Sequence, residues 1–141
     1  MKWLHSLPLA LVLLLPAAAA RAAEGFQVVV NAANPISSVP KDQLSRIFMK
    51  KTQKWENGQA IAPVDLDQAS PVRAAFSKTV HGKPVSAVAS YWQQQIFAGR
   101  DVPPAEKASD TAVIAFVKAN AGAVGYVSGN APPEVKVLAV E

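Results

Sequence analysis

The sequence predicts an α/β fold, with a small mixed sheet flanked by helices in one domain. Short β-branched runs alternate with stretches of helical period, in the order β-α-β-α-α-α-β-β. Strands separated by helices favour a largely parallel or mixed sheet. The chain has 141 residues and no cysteine, so one modest apolar core must hold it without disulfides.

The first residues read as an export leader. Lys2 and His5 precede an apolar run from Leu7 to Leu15, and Ala20-Arg21-Ala22 fits a small-x-small cleavage site. The run is shorter than the ~20 residues that span a bilayer. Residues 1–22 are therefore expected to be a signal peptide and 23–141 a single α/β domain in the periplasm. Losing Lys2 and Arg21 lowers the net charge from +4 to about +2, which gives no electrostatic footprint for a nucleic acid.

Phe26 to Val30, "FQVVV", predicts the first strand, and "NAANP" a turn. In "VPKDQLSRIFMKK" Pro40 suits a first helical turn, and Leu44, Ile47 and Phe48 share a face at i, i+3 and i+4. Asn57-Gly58 marks a turn, with Trp55 folding back onto that helix. "AIAPVDLD" predicts a strand that Pro63 makes either an edge strand or a late starter. A second helix opens at "SPVRAAF", capped by Ser70 with Pro71 at N1, and Gly82 stops it.

The third helix spans about Pro84 to Phe97, with a stripe of Val85, Val88, Trp92 and Ile96. The two prolines in "AGRDVPPAEKAS" indicate a loop. A fourth helix starts near Ser109 or Asp110, buries Val113, Phe116 and Val117, and ends around Asn120 to Gly122. "GAVGYVSG" and the stretch Val135 to Val140 supply the last two strands.

Few residues suggest chemistry. No nucleophile stands in a recognisable spacing with a base, and no phosphate loop of the GxxxxGK type occurs, so no enzyme is expected. His81 is the only histidine after the leader, which makes neither a metal site nor a cofactor site expected. At the end of the second helix it would favour the dipole as a cation. Asp65 and Asp67 share one side of a strand end and read as solvated carboxylates or an acid pair. Trp55, Tyr91, Trp92 and Phe97 read as packing residues, and Tyr126 as a hydroxyl at a cleft edge.

The segment from Ser70 to Arg73 stands out. A first helical turn offers unpaired N–H groups and the positive end of a dipole, both suited to an anion. Arg73 in that turn opposes the dipole unless an anion or a carboxylate sits nearby. It therefore either pairs with Asp65 or Asp67, points to solvent, or meets a ligand. Ser70, Pro71, Val72 and Arg73 are the candidate ligand-binding residues.

Several phrases resemble the phosphate-binding (substrate-binding) proteins of ABC transporters: "VPKDQLSRIFMKKTQKWENGQAIAPVDLD", "SPVRAAF" and "NAGAVGYV". Ile47-Phe48, Trp55, Gly58, Ser70, Phe76 and Gly122 to Val127 follow that family's order. "YWQQQIFAGRDVPPAE" looks like a short periplasmic subgroup of the same superfamily. The resemblance implies a type II periplasmic-binding-protein-like fold, with room in this chain for a single lobe. It also implies a small phosphate-like oxyanion as ligand. The family's arginine and aspartate fall on Leu66 and Gln68, its serine on Ser70, and its glycine and threonine on Pro71 and Val72. Of that side-chain grip only Ser70 persists, which implies weak or altered oxyanion binding. The alternative is an interaction module, whose exposed face meets a periplasmic or inner-membrane protein or a second copy.

Overall fold

A computed structural model describes residues 25–141, and the expected signal peptide at 1–22 lies outside them. Six strands form one mixed sheet in the order β2-β6-β1-β5-β3-β4. The strands are β1 (Gln27–Asn31), β2 (Ser38–Val39), β3 (Ala62–Leu66), β4 (Ala105–Lys107), β5 (Ala123–Val127) and β6 (Val135–Val140). The helices are α1 (Lys41–Phe48), α2 (Pro71–Phe76), α3 (Val85–Phe97) and α4 (Asp110–Ala119), and α2 continues into a π-helical turn at Ser77–His81. β1 runs antiparallel to β5 and β6, whereas β3 is parallel to β5 and β4.

β5 is buried at every position, because it lies between β1 and β3 inside the sheet. A strand covered on both faces needs no polar alternation, which accounts for the run Ala-Val-Gly-Tyr-Val. Gly125 lets Val64 and Val113 close over it, where an added Cβ would lie 2.7 and 2.8 Å from their methyl groups. Gly122, just before β5, is tighter still. Its carbonyl accepts from Ala62 N–H and from Trp55 Nε1, each at 3.0 Å. Trp55 is therefore tied across to the start of β5 rather than simply laid on α1.

α1 buries Leu44, Ile47 and Phe48, the face its spacing predicts. Phe48 joins Phe26, Phe76 and Tyr126 in an aromatic core, with Phe76 stacked on Tyr126 at 3.9 Å between ring centroids. α4 is capped by Ser109, whose hydroxyl accepts from Ala112 N–H, and it buries Val113 and Val117.

Three expectations need correction. The stretch read as a loop after α3 contains β4, and β2 was not foreseen. β3 is interior, so the edge-strand reading falls, while the late start holds on the β4 side, where the ladder begins one residue after Pro63, at Val64. α3 buries only Val88 and Trp92, in a small cluster with Met49. Ile96 is 52% exposed and Phe97 96%, so neither packs into the interior.

Candidate anion site

The C-terminal ends of β3 and β4 and the start of α2 meet at one edge of the sheet, where Asp67 N–H donates to Lys107 O at 3.0 Å. The chain turns there through Asp67, whose Oδ1 accepts from Ala69 N–H. Ser70 then caps α2, accepting from Arg73 N–H at 3.3 Å. Ser70 N–H donates to Asp67 O and Ala74 N–H to Ser70 O, and Pro71 has no N–H. Among the described residues, Val72 N–H is the donor of that turn left without a protein acceptor.

Beside this turn lies an open groove of about 560 Å³, bounded by Ser70, Pro71, Ala74, Lys78, Lys83 and Val85 among others. Its walls carry two lysines and no carboxylate, and neither lysine is ion-paired among the described residues. Of the four expected site residues, Ser70 and Pro71 line the groove. Val72 packs partly against the core, and Arg73 turns inward.

Arg73 is the centre of a buried polar network. Its Nη1 donates to Leu66 O at 2.9 Å and to Glu106 Oε1 at 2.7 Å, while Nη2 stands 3.9 Å from Asp65 Oδ2. Asp65 Oδ1 accepts from Tyr126 OH at 2.7 Å, and the tyrosine oxygen accepts in turn from Leu66 N–H at 3.2 Å. Tyr126 is thus fully buried rather than at a cleft edge, and Asp65 is a core carboxylate rather than a solvated one. Burial opposes the guanidinium charge, yet Asp65 and the Glu106 hydrogen bond hold Arg73 above its ordinary value. Burial likewise pushes the Tyr126 hydroxyl far up, with the Asp65 charge adding to it. The i, i+2 acid pair was visible in the sequence, but no local pattern announces Glu106, which pairs across strands in a segment that reads as a loop.

Burial raises Asp65 to about 6, more than Arg73 and the Tyr126 hydrogen bond lower it. His81 moves the other way, to about 4, through burial and then the Lys83 and Arg73 charges. It is a neutral ring whose Nδ1 meets Ser45 Oγ at 2.7 Å, not the cation expected at a helix end. Between pH 3.8 and 6 the folded state holds the extra proton on Asp65, so stability from this group falls as pH rises. Between pH 4 and 6.5 the unfolded state holds the extra proton on His81, so stability rises with pH. Each slope integrates to roughly 3 kcal/mol, and in their shared window they oppose each other. Asp65→Asn is therefore expected to become more stable as pH climbs through that window, and His81→Gln less stable. Urea midpoints measured at pH 4 and 6 read both; slopes identical to that of the unmodified chain would refute the assignment.

Among the described residues no group of three or more histidine or acidic side chains could hold a metal ion. No protein-family model matches the chain, and no curated protein matches it. Solved structures do. An ABC-type phosphate transport receptor from Vibrio cholerae aligns at TM-score 0.65 and 24% identity, over 82% of this chain and 46% of its own. A structure named as a phosphate ABC transporter substrate-binding protein, from Clostridium perfringens with bound phosphate, aligns at 0.66 and 20%, over 82% and 44%. One from Planctomyces limnophilus, described as a possible phosphate binding protein, aligns at 0.62 and 20%, over 83% and 41%.

The chain has the fold of one lobe of a substrate-binding protein. This lobe spans less than half the length of the solved structures it matches. In open α/β sheets, ligands favour the crevice beyond the carboxyl ends of parallel strands, which in this lobe is the edge where β3 and β4 end and α2 begins.

Proposed function

We propose that this chain is a periplasmic substrate-binding-like protein that takes a small oxyanion weakly at the groove beside Ser70 to Arg73. The observation that carries the reading is the pairing of a donor-bearing turn with Lys78 and Lys83 in a groove without a carboxylate. Val72 N–H and the two ammonium groups supply the attraction, and Ser70 fixes the turn. Arg73 touches no ligand in this reading; it holds the end of β3 in place through Leu66 O. With so few donors, a dianion keeps much of its desolvation cost uncompensated, so weak binding is the physical expectation. The phosphate named for the Clostridium structure makes phosphate the first ligand to try.

Calorimetric titration with phosphate, sulfate and acetate is expected to give saturable heat at millimolar concentrations that weakens as salt is raised. The double variant Lys78→Ala/Lys83→Ala should lose at least fivefold in affinity. No saturable heat from any of the three anions ends this reading.

A second reading is a protein-interaction module. It is favoured by Ile96, Phe97 and Val102, exposed by 52, 96 and 59% at the end of α3 and in the segment after it. Such a patch suits a periplasmic or inner-membrane protein, or a second copy of the chain. Light scattering of the chain and of Phe97→Ser distinguishes self-association from a foreign partner.

A further inference from the structure

A second cavity lies at the opposite end of the sheet from the Ser70 groove. β1 runs antiparallel to β5, so the loop after Asn31 emerges beside the starts of β5 and β3. There Asn34, Pro35 and Ile36 face Trp55, Glu56 and Asn57 across a cavity of about 380 Å³. That volume falls within the range of about 300–1,000 Å³ usual for small-molecule pockets.

Hydrogen bonds anchor both walls. Asn31 Oδ1 accepts from Ala33 N–H, and Asn31 Nδ2 donates to Val117 O, which locks the loop to the end of α4. Lys136 Nζ donates to Asn34 O at 3.1 Å. On the other side, Trp55 N–H donates to Gln59 O, Gln59 N–H to Asn57 Oδ1, and the indole to Gly122 O.

One atom behind this wall lacks a partner. Asn34 is only 4% exposed, and its Nδ2 is buried without an acceptor among the described residues. The amide cannot be turned round to hide it, because Oδ1 already accepts from Ile36 N–H at 3.0 Å. A buried donor without an acceptor is destabilising, so an oxygen delivered to Nδ2 gains more than it would at the surface.

We propose that this cavity binds a small neutral molecule carrying a carbonyl or hydroxyl oxygen on an apolar frame, the oxygen accepting from Asn34 Nδ2. Pro35, Ile36 and Trp55 supply the apolar walls, and Glu56 sets a carboxylate at the rim that repels anions. In the present conformation Nδ2 is sealed from solvent, so the oxygen reaches it through a small outward shift of the Asn34 loop. The site is independent of the oxyanion groove, and its ligand class is different.

The test is a titration of the 15N-labelled protein with cyclopentanone, cyclopentanol, cyclopentane and cyclopentanecarboxylate. The ketone and the alcohol are expected to shift the Asn34 side-chain NH2 and the Trp55 indole resonances saturably, at least tenfold more tightly than the other two. Asn34→Leu is expected to abolish that preference. Should this variant fail to fold, the comparison of ketone with hydrocarbon in the unmodified chain decides alone. Equal binding of cyclopentane, tighter binding of the carboxylate, or shifts that never saturate would each overturn the proposal.

Discussion

Replacing Arg73 by methionine is expected to lower the unfolding free energy by about 3–5 kcal/mol. The side chain is 5% exposed and answers three oxygens, those of Leu66, Glu106 and Asp65. Methionine matches much of its bulk but leaves Asp65 buried without a cation and the Leu66 carbonyl without this donor. Glu106 is 39% exposed and rehydrates when released, so its arm of the network contributes little. The bulk of the loss therefore sits on Asp65, and this makes a sharper test available. Adding Asp65→Asn to the Arg73→Met background should restore part of the stability, because a neutral amide needs no counter-charge. Urea unfolding of the two single variants and the double variant measures the coupling directly. A loss below about 1 kcal/mol for Arg73→Met would mean that the network stabilises nothing.

Gly122→Ala is expected to cost about 3 kcal/mol or more, since overpacking alone accounts for about 1–3 kcal/mol. An added Cβ would lie 1.9 Å from the Ala60 carbonyl oxygen, which is backbone and cannot rotate away. Relief requires moving the 54–62 segment off β5. That movement strains the two hydrogen bonds received by Gly122 O, from Ala62 N–H and the Trp55 indole. The loss therefore combines overpacking with unpaired buried donors. The thermal midpoint and the near-ultraviolet dichroism of Trp55 should change together. A variant with an unchanged midpoint would show that the close approach of these two segments is dispensable.

What the sequence disclosed follows from how local each signal is. α1 and α4 were legible because their apolar spacing matches the helical period, and each buries residues of the face that spacing marks. The Ser70 cap, Pro71 at N1 and the Gly82 stop were legible for the same reason, and Gly82 takes the left-handed conformation that ends the turn. β4 was not, because three residues with two charges show no alternation and gain their strand identity only from β3 beside them. The sequence allows the pairing of Arg73 with Asp65, but Glu106 joins it from a sequence distance of 33 residues. Asp65 and Tyr126 were misread in one way: both are polar residues on buried strands, and only the three-dimensional partner makes such burial tolerable. His81 was read from its place in a helix, while burial, and then the Lys83 and Arg73 charges, keep its ring neutral.

The π turn at Ser77–His81 gives the second helix an unusual tolerance to length change. Such a turn is an α-helix carrying one residue in excess, so it marks where an insertion can be accepted without unravelling the coil on either side. Deleting Thr79 is expected to return the segment to ordinary α winding and to draw the residues of the turn itself into new positions. His81 would swing away from Ser45, and Ser77 would lose the Lys83 carbonyl to which its hydroxyl donates at 2.6 Å. The excess residue thus bears on the turn that carries Lys78 and leads to Lys83, the two lysines of the groove.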